Sequence, residues 1–458
     1  MNMKMRIIIS VIIAVLALST GGGASDVDLT FVRQDLPPAS NAYSLWTNAL
    51  PQLKLPDDIG LREAFMLACN LATNMPDSEA RKQLDAWLVS KNEPLALLSQ
   101  GIRLGQLQLP AFGVADFMKF DLSGVRHAAR MKVVLGRMHV ERGEYEMAAH
   151  EFTDVFRMGQ LIAAGDGPMI HYLVGIAVQS MGLNGMRWVA ASPDTPSAVL
   201  SQMLRDIPVP DESDTVLAQV YRVEFTQFTV PQVRKMEREA LSPTNNFPIH
   251  IERVLDVTNT ISTAESFYIR LVRNALGPWL ARDTGIEAGA KHLVTLAGVD
   301  DPADFAMTLM MCSFQKQDRE VTKQWKQLEK LGRKQPNIFG KLLVSLMMPA
   351  GEKVHERSVR VRTEANLTRA FVAVQCFRRE SGAWPESLSD VRSKWLLPDD
   401  PIDLFAGKPV QYSREKGILW SVGPDEKDDG GDTEKDFVVK LPNQVPEHTD
   451  RKLADPQH

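Results

Sequence analysis

The sequence predicts a mainly α chain: an irregular helical bundle or short solenoid-like body, then a small α+β domain with a three-stranded antiparallel sheet. Three observations carry that expectation. Between about Ser40 and Leu331 apolar residues recur at three- and four-residue spacing, without sustained alternation. Prolines such as Pro76, Pro110, Pro193, Pro208, Pro243 and Pro302 divide this stretch into pieces of ordinary to long helical length. After Gly407 the texture changes to short apolar or aromatic runs around polar turns, the pattern of strands. Composition agrees. With 458 residues, 44% hydrophobic and 24% charged, the chain has length for two or three domains and enough apolar material for their cores. It excludes a collagen-like, wholly disordered or polytopic membrane chain, and a formal net charge of -5 gives no nucleic-acid footprint.

Four segments follow: a leader at 1–24, a helical domain at 25–335, an α+β domain at 336–446 and a polar tail at 447–458. In the leader, Lys4 and Arg6 precede the uncharged run Ile7 to Leu18, and Ser19 to Ala24 are all small. A basic start, a short apolar run and small residues at its end make a secretory signal peptide. The run is shorter than the ~20 residues of a spanning helix, so contact with a membrane is expected only through an uncleaved leader. Cleavage after Ala24 would take the net charge from -5 to -7. The expected location is outside the cytoplasm: periplasm, cell envelope or secreted. Cys69, Cys312 and Cys376 are scattered and form no CxxC pair, and Cys69 and Cys376 sit in helix-like apolar contexts that suit small core residues.

Within the helical domain, Asp77, Asp211 and Asp301 are expected at or near helix N-caps. Residues 126–162 read as a helical hairpin. Gly136 and Ala148 are small enough to let two helices approach, Gly143 closes the turn, and Tyr145 and Phe152 fill space against the next helix. Leu135, Gly136, Gly143, Tyr145, Ala148 and Phe152 at these offsets resemble a tetratricopeptide repeat, present once. Further on, Phe314, Val321, Trp325, Leu328 and Leu331 define one helical face. Lys316, Arg319, Lys323, Lys326 and Lys330 lie on the other, with Asp318, Glu320 and Glu329 diluting the charge.

From Asn337 an apolar start leads into a charged helical stretch and an amphipathic segment through Leu367, Ala370, Phe371 and Val374, ending at Gly382. Then come Gly382-Ala383-Trp384-Pro385, Leu397-Pro398-Asp399-Asp400-Pro401, Gly407-Lys408-Pro409 with Tyr412, and Leu419-Trp420-Ser421-Val422-Gly423-Pro424-Asp425. Residues 409–413 and 417–422 suggest a hairpin, residues 436–441 a third strand, and the helix around Ala370 to Phe377 the cover for their apolar face. In this order, the pieces resemble the C-terminal globular part of the major pseudopilin of type II secretion, over about 100 residues. The departures are clear. The module lies far from the N-terminus, Lys341 interrupts its apolar start, and the pilin Glu pattern is missing, so the filament-packing part is degraded or lost.

Residues 425–436 hold seven acids against Lys427 and Lys435, a net of -5 in twelve residues, and such a loop repels itself unless neutralised. Calcium takes six to eight oxygens. In the family it resembles, calcium holds the equivalent loop. The resemblance implies Asp425, Asp428, Asp429 and Asp432 as side-chain ligands, with backbone carbonyls near Leu419 and Ser421. An EF-hand does not fit, because its third position would be Lys427 and its twelfth Asp436.

Catalytic motifs are thin. His127, His139, His150, His171, His250, His292 and His355 are scattered without HExxH. Ser313-Phe314-Gln315-Lys316 matches SxxK without its usual partners, and no GxSxG, Walker loop or strand-linked GxGxxG occurs. Asn366-Leu367-Thr368 is a formal glycosylation sequon. The expectation is a non-enzymatic exported scaffold with an unknown protein partner, no nucleic acid, and a calcium-stabilised module. A component of a type II secretion or pilus-like apparatus and an unrecognised periplasmic hydrolase are the alternatives.

Overall fold

The computed structural model describes residues 27–110, 120–240, 256–285, 330, 333, 337–396 and 400–442. The leader, Cys312, residues 313–329 with the SxxK match, Leu331, His250, His292, Asp301, Leu397 to Asp399 and the 447–458 tail lie outside the described residues. The protein is mainly helical, with a small three-stranded antiparallel sheet near the C-terminus. In chain order the helices are α1 (Tyr43–Ala49), α2 (Ile59–Cys69), α3 (Ser78–Val89), α4 (Asn92–Leu104), α5 (Leu122–Glu141) and α6 (Tyr145–Ala163). There follow α7 (Met169–Ala191), α8 (Ser197–Asp206), α9 (Thr215–Val223), α10 (Val230–Ala240), α11 (Val257–Leu276) and the long α12 (Ile338–Ser381). A π-helical turn, Glu224–Thr229, joins α9 to α10.

Aspartates start many of these helices by accepting an orphan backbone N–H: Asp58, Asp77, Asp121, Asp214 and Asp256 all do so. Asp77 is where the sequence puts a cap. The cap expected near Asp211 falls instead on Asp214, which accepts from the Leu217 N–H.

The hairpin α5–α6 turns at Gly143, in the left-handed region at φ 75. Phe152 of α6 is fully buried between two glycines. A Cβ on Gly136 of α5 would stand 2.8 Å from its ring, and one on Gly185 of α7 would stand 1.8 Å from it. The three helices therefore close around one aromatic ring, whose burial stabilises the fold by about 1.5–3 kcal/mol. Higher in the same interface, Gly159 and Gly175 bring the α6 and α7 backbones together, since a Cβ on Gly159 would meet the Gly175 carbonyl at 2.5 Å.

Helix α12 ends at Gly382, φ 74, where the sequence places its stop. Its second half is buried on all sides: Leu367, Ala370, Val372, Ala373 and Val374 are inaccessible to solvent. It packs against α7, α8 and α11, and at its C-terminal half against the sheet. Beyond it, β1 (Ile402–Asp403) pairs antiparallel with β2 (Lys408–Pro409). The main sheet has the order β3 (Gln411–Ser413), β4 (Ile418–Ser421), β5 (Phe437–Lys440), with Leu419 opposite Tyr412 on one side and Val439 on the other. The apolar core runs without interruption from Leu29 through the helices to Leu419 and Leu441.

Candidate functional site

The acidic segment connects β4 to β5 and lies wholly within the described residues. Its geometry is set by Asp436, only 6% exposed, which accepts backbone N–H groups from Gly431 at 2.7 Å, Asp432 at 3.1 Å and Asp429 at 3.5 Å. Gly430 and Gly431, at φ 73 and 82, let the chain fold back over this carboxylate. Asp428 accepts from the Trp420 indole Nε1–H at 2.9 Å and from the Gly430 N–H at 2.9 Å. The indole bond, then the backbone bond, hold its carboxyl below the usual range. Asp429 pairs with Lys435 Nζ at 3.0 Å, which raises the pKa of that ammonium. Asp432 accepts from the Glu434 N–H at 2.9 Å, and Asp425 from the Lys427 N–H at 3.3 Å. From the β3–β4 turn, Lys416 Nζ reaches the Gly430 carbonyl at 2.6 Å.

Four acids named as metal ligands are thus in one loop, but each faces a different donor. Among the described residues no three His, Cys, Asp or Glu side chains gather into a group that could hold a metal ion. Leu419 and Ser421 lie on the central strand. Leu419 has ladder partners on both sides, so its carbonyl is directed at a neighbouring strand. The Ser421 hydroxyl donates to Asp403 Oδ1 at 2.9 Å. A calcium ion needs six to eight oxygens around one point. As arranged, these residues do not present that shell, and no function below is routed through a metal.

Two further polar groups brace this region, one within the strands and one between the loop and the helical body. Asp403, 2% exposed, accepts from Ser421 Oγ, from the Val422 N–H at 2.9 Å and from the Phe405 N–H at 3.0 Å. Burial raises its pKa against the opposing pull of those bonds. Arg282, just beyond α11, lays its guanidinium 3.8 Å over the Trp279 ring and forms an ion pair with Glu426 of the loop.

Deeper, Asp214 caps α9, accepts from Tyr172 Oη at 2.8 Å and from Ser358 Oγ, and lies 3.7 Å from Arg362. His355 stands one turn before Ser358 on α12, its ring 5.3 Å from that of Trp279, and burial holds it down at about 4. Ser358, His355 and Asp214 are a nucleophile, a base and an acid by type. In this arrangement the Ser358 hydroxyl donates its hydrogen bond to Asp214, and all three side chains are buried inside the joint. Along the same helix, Glu364 pairs with Arg187 at 2.7 Å and accepts from Ser180 at 2.7 Å, and Arg369 donates to the Ile207 carbonyl at 2.7 Å.

The described histidines do not converge. His139 pairs with Glu144 at 2.6 Å, His150 is exposed, and His171 is buried, its ring 5.9 Å from that of Phe120 and its pKa held down at about 4. A cleft of about 160 Å³ between the end of α6 and α9 is lined by Ala163, Asp166, Gln219, Val220 and neighbours, with no histidine among them. Burial pushes the Cys69 and Cys376 thiols up to about 12 and about 11, as expected of core cysteines. The sequon is closed off: Asn366 is 1% exposed and donates to the Ile402 carbonyl at 2.8 Å, and Thr368 is fully buried. No helix among the described residues is long and apolar enough to cross a membrane.

Sequence reasoning missed Asp436 as the centre of the loop, and it missed Asp403, Asp214 and Lys416. Asp436 carried a signal, being the acid that immediately precedes a strand. The other three are single polar residues whose partners are remote in the chain.

No protein-family model matches the chain, and neither the curated proteins nor the solved structures contain a match.

Proposed function

We infer that the protein is a non-enzymatic exported envelope protein. Its helical body acts as a protein-binding scaffold that carries a pseudopilin-like module fixed to it. One observation carries this reading. The long helix leading into the sheet, the element a pilin-type subunit would need for packing into a filament, is spent inside the molecule, with its second half buried against α7, α8 and the sheet. Buried polar ties at Glu364–Arg187 and Arg369–Ile207 fix its rotation and height on the body. A module held in this way can position a surface but cannot dock through that helix elsewhere. The hydrolase alternative has little support, since the described histidines and acids form no open nucleophile–base pair. The resemblance of α5–α6 to a tetratricopeptide hairpin supports a protein partner over a small molecule.

The test is cell fractionation with sedimentation of the purified full chain and limited proteolysis. The expected result is a discrete particle that does not co-purify with a secretion apparatus, and a 336–446 segment that proteases do not release. Recovery in filaments, or in a stable complex with secretion-machinery components, would favour the apparatus alternative. Turnover of a peptide or glycan substrate, lost on changing Ser358 or His355, would favour the hydrolase.

A further inference from the structure

A twelve-residue loop with a net charge of -5 must be neutralised by something. In this chain three cationic side chains are already in place. Lys416 Nζ, from outside the loop, sits 2.6 Å from the Gly430 carbonyl, on the turn that carries Asp428 and Asp429. Lys435 Nζ sits 3.0 Å from Asp429, and Arg282 of the helical body pairs with Glu426. Four further carboxylates accept from donors that carry no formal charge: Asp428 from the Trp420 indole, Asp436 from three backbone N–H groups, and Asp425 and Asp432 from one backbone N–H each. A divalent cation binding here would need carboxylates and a backbone carbonyl together. Those are the two kinds of oxygen that the two ammonium groups occupy.

We propose that Lys416 and Lys435 take the place of a divalent cation in this loop, so that the β4–β5 connection is closed by the chain's own charges and a metal enters only when they are removed. The consequence is an envelope module whose fold is indifferent to calcium. Ammonium groups on flexible stems also make weaker, longer-range partners than a coordinated ion, so the closure is sensitive to salt. This inference stands apart from the scaffold reading and would survive its failure.

The test uses the full chain. Thermal unfolding is followed in EDTA and in about 2 mM calcium, above the range in which extracellular calcium modules bind. The wild type is compared with Lys435→Gln, Lys416→Gln and the double variant. The expected result is one melting temperature for the wild type in both media, a lower one for the double variant in EDTA, and recovery of part of that loss in calcium. Terbium supplies a second readout independent of stability. Trp420 bonds directly to Asp428, so a lanthanide in the loop would be sensitised by it, and emission should appear in the double variant and not in the wild type.

Three outcomes would overturn the proposal. One is a wild-type melting temperature that rises with calcium and loses that rise in Asp428→Asn. Another is a double variant that melts like the wild type in EDTA. The third is a destabilised double variant that calcium does not rescue, which would reduce the lysines to ordinary surface pairs. Should the double variant fail to fold, Lys435→Gln alone removes a half-exposed side chain and retains the terbium readout.

Discussion

The two polar regions that hold the C-terminal sheet are built in opposite ways. The acidic loop concentrates seven carboxylates in twelve residues, most of them at the surface, and meets them with backbone N–H groups and exposed ammoniums. The joint beneath α12 uses a few charges that are largely withdrawn from solvent: Asp214 with Arg362, Glu364 with Arg187, and Arg369 on the carbonyls at the end of α8, with Asp214 alone bonded to three helices. A charge near water loses little when its partner is taken away, because solvent replaces it. A buried one has no replacement. The conspicuous charge of the sequence is therefore not where the attachment of module to body is decided. The inconspicuous charges are.

The sharpest way to break this comparison is to truncate one buried partner. Asp214→Ala removes the α9 cap and the acceptor of Tyr172 and Ser358, and leaves Arg362 without its carboxylate. Glu364→Ala strands Arg187, whose side chain is 14% exposed. Each should cost about 3–5 kcal/mol in denaturant unfolding. A loss under about 1 kcal/mol for both would mean that the joint is held by apolar packing and that the polar ties are incidental.

Much of the fold was legible because it depends on local pattern. The three strands announce themselves as short aromatic and β-branched runs between turn residues, and the α5–α6 hairpin as small residues opposite Phe152 with Gly143 at the turn. The joint was not legible, because its members come from distant parts of the chain. Tyr172 is 42 residues from Asp214, and Ser358 is 144 residues from it. Nothing in the neighbourhood of Ser358 marks it as a donor to that acid. The candidate site was half legible. A net charge of -5 could be counted, and the four acids do lie in one loop. What meets the charge could not be read, since Lys416 acts across a turn 14 residues away and Asp436 works through its neighbours' backbone.

A second test moves from geometry to pH. His355 faces Trp279 beside it, Asp214 across the joint, Arg362 on its own helix and Arg282 beyond α11. Burial keeps it neutral, with a folded value of about 4 against an ordinary 6.5. The unfolded chain therefore binds the extra proton first. The stability that neutral His355 allows is complete above pH 6.5 and is lost as pH falls from 6.5 towards 4, to a total of about 3 kcal/mol. His171, also held at about 4, acts in the same direction in the helical body. His355→Phe should flatten the pH dependence of unfolding over this window, leaving the share that belongs to His171. If the wild-type melting temperature is level from pH 7 to pH 4.5, solvent reaches the joint and its charges are not buried in the sense argued above.

The smallest expected effect lies in the loop and bears most directly on the contrast. Asp436→Asn keeps the shape of the hub side chain but removes its charge and turns one of its two acceptor oxygens into a donor. The N–H groups of Gly431 and Asp432 both point at Oδ2, so one orientation of the amide would aim its NH₂ at two donors, while the other leaves them a neutral acceptor. Weakening of charge-assisted bonds on this scale costs about 1–2 kcal/mol. Relief of carboxylate repulsion in the loop offsets part of it, and more so at low salt. Unfolding of Asp436→Asn at low and high ionic strength measures both parts: the variant should be the less stable at either salt, with the deficit growing as salt rises. A deficit as large as that of Asp214→Ala would mean the loop is as deeply committed as the joint, and the contrast between the two regions would fail.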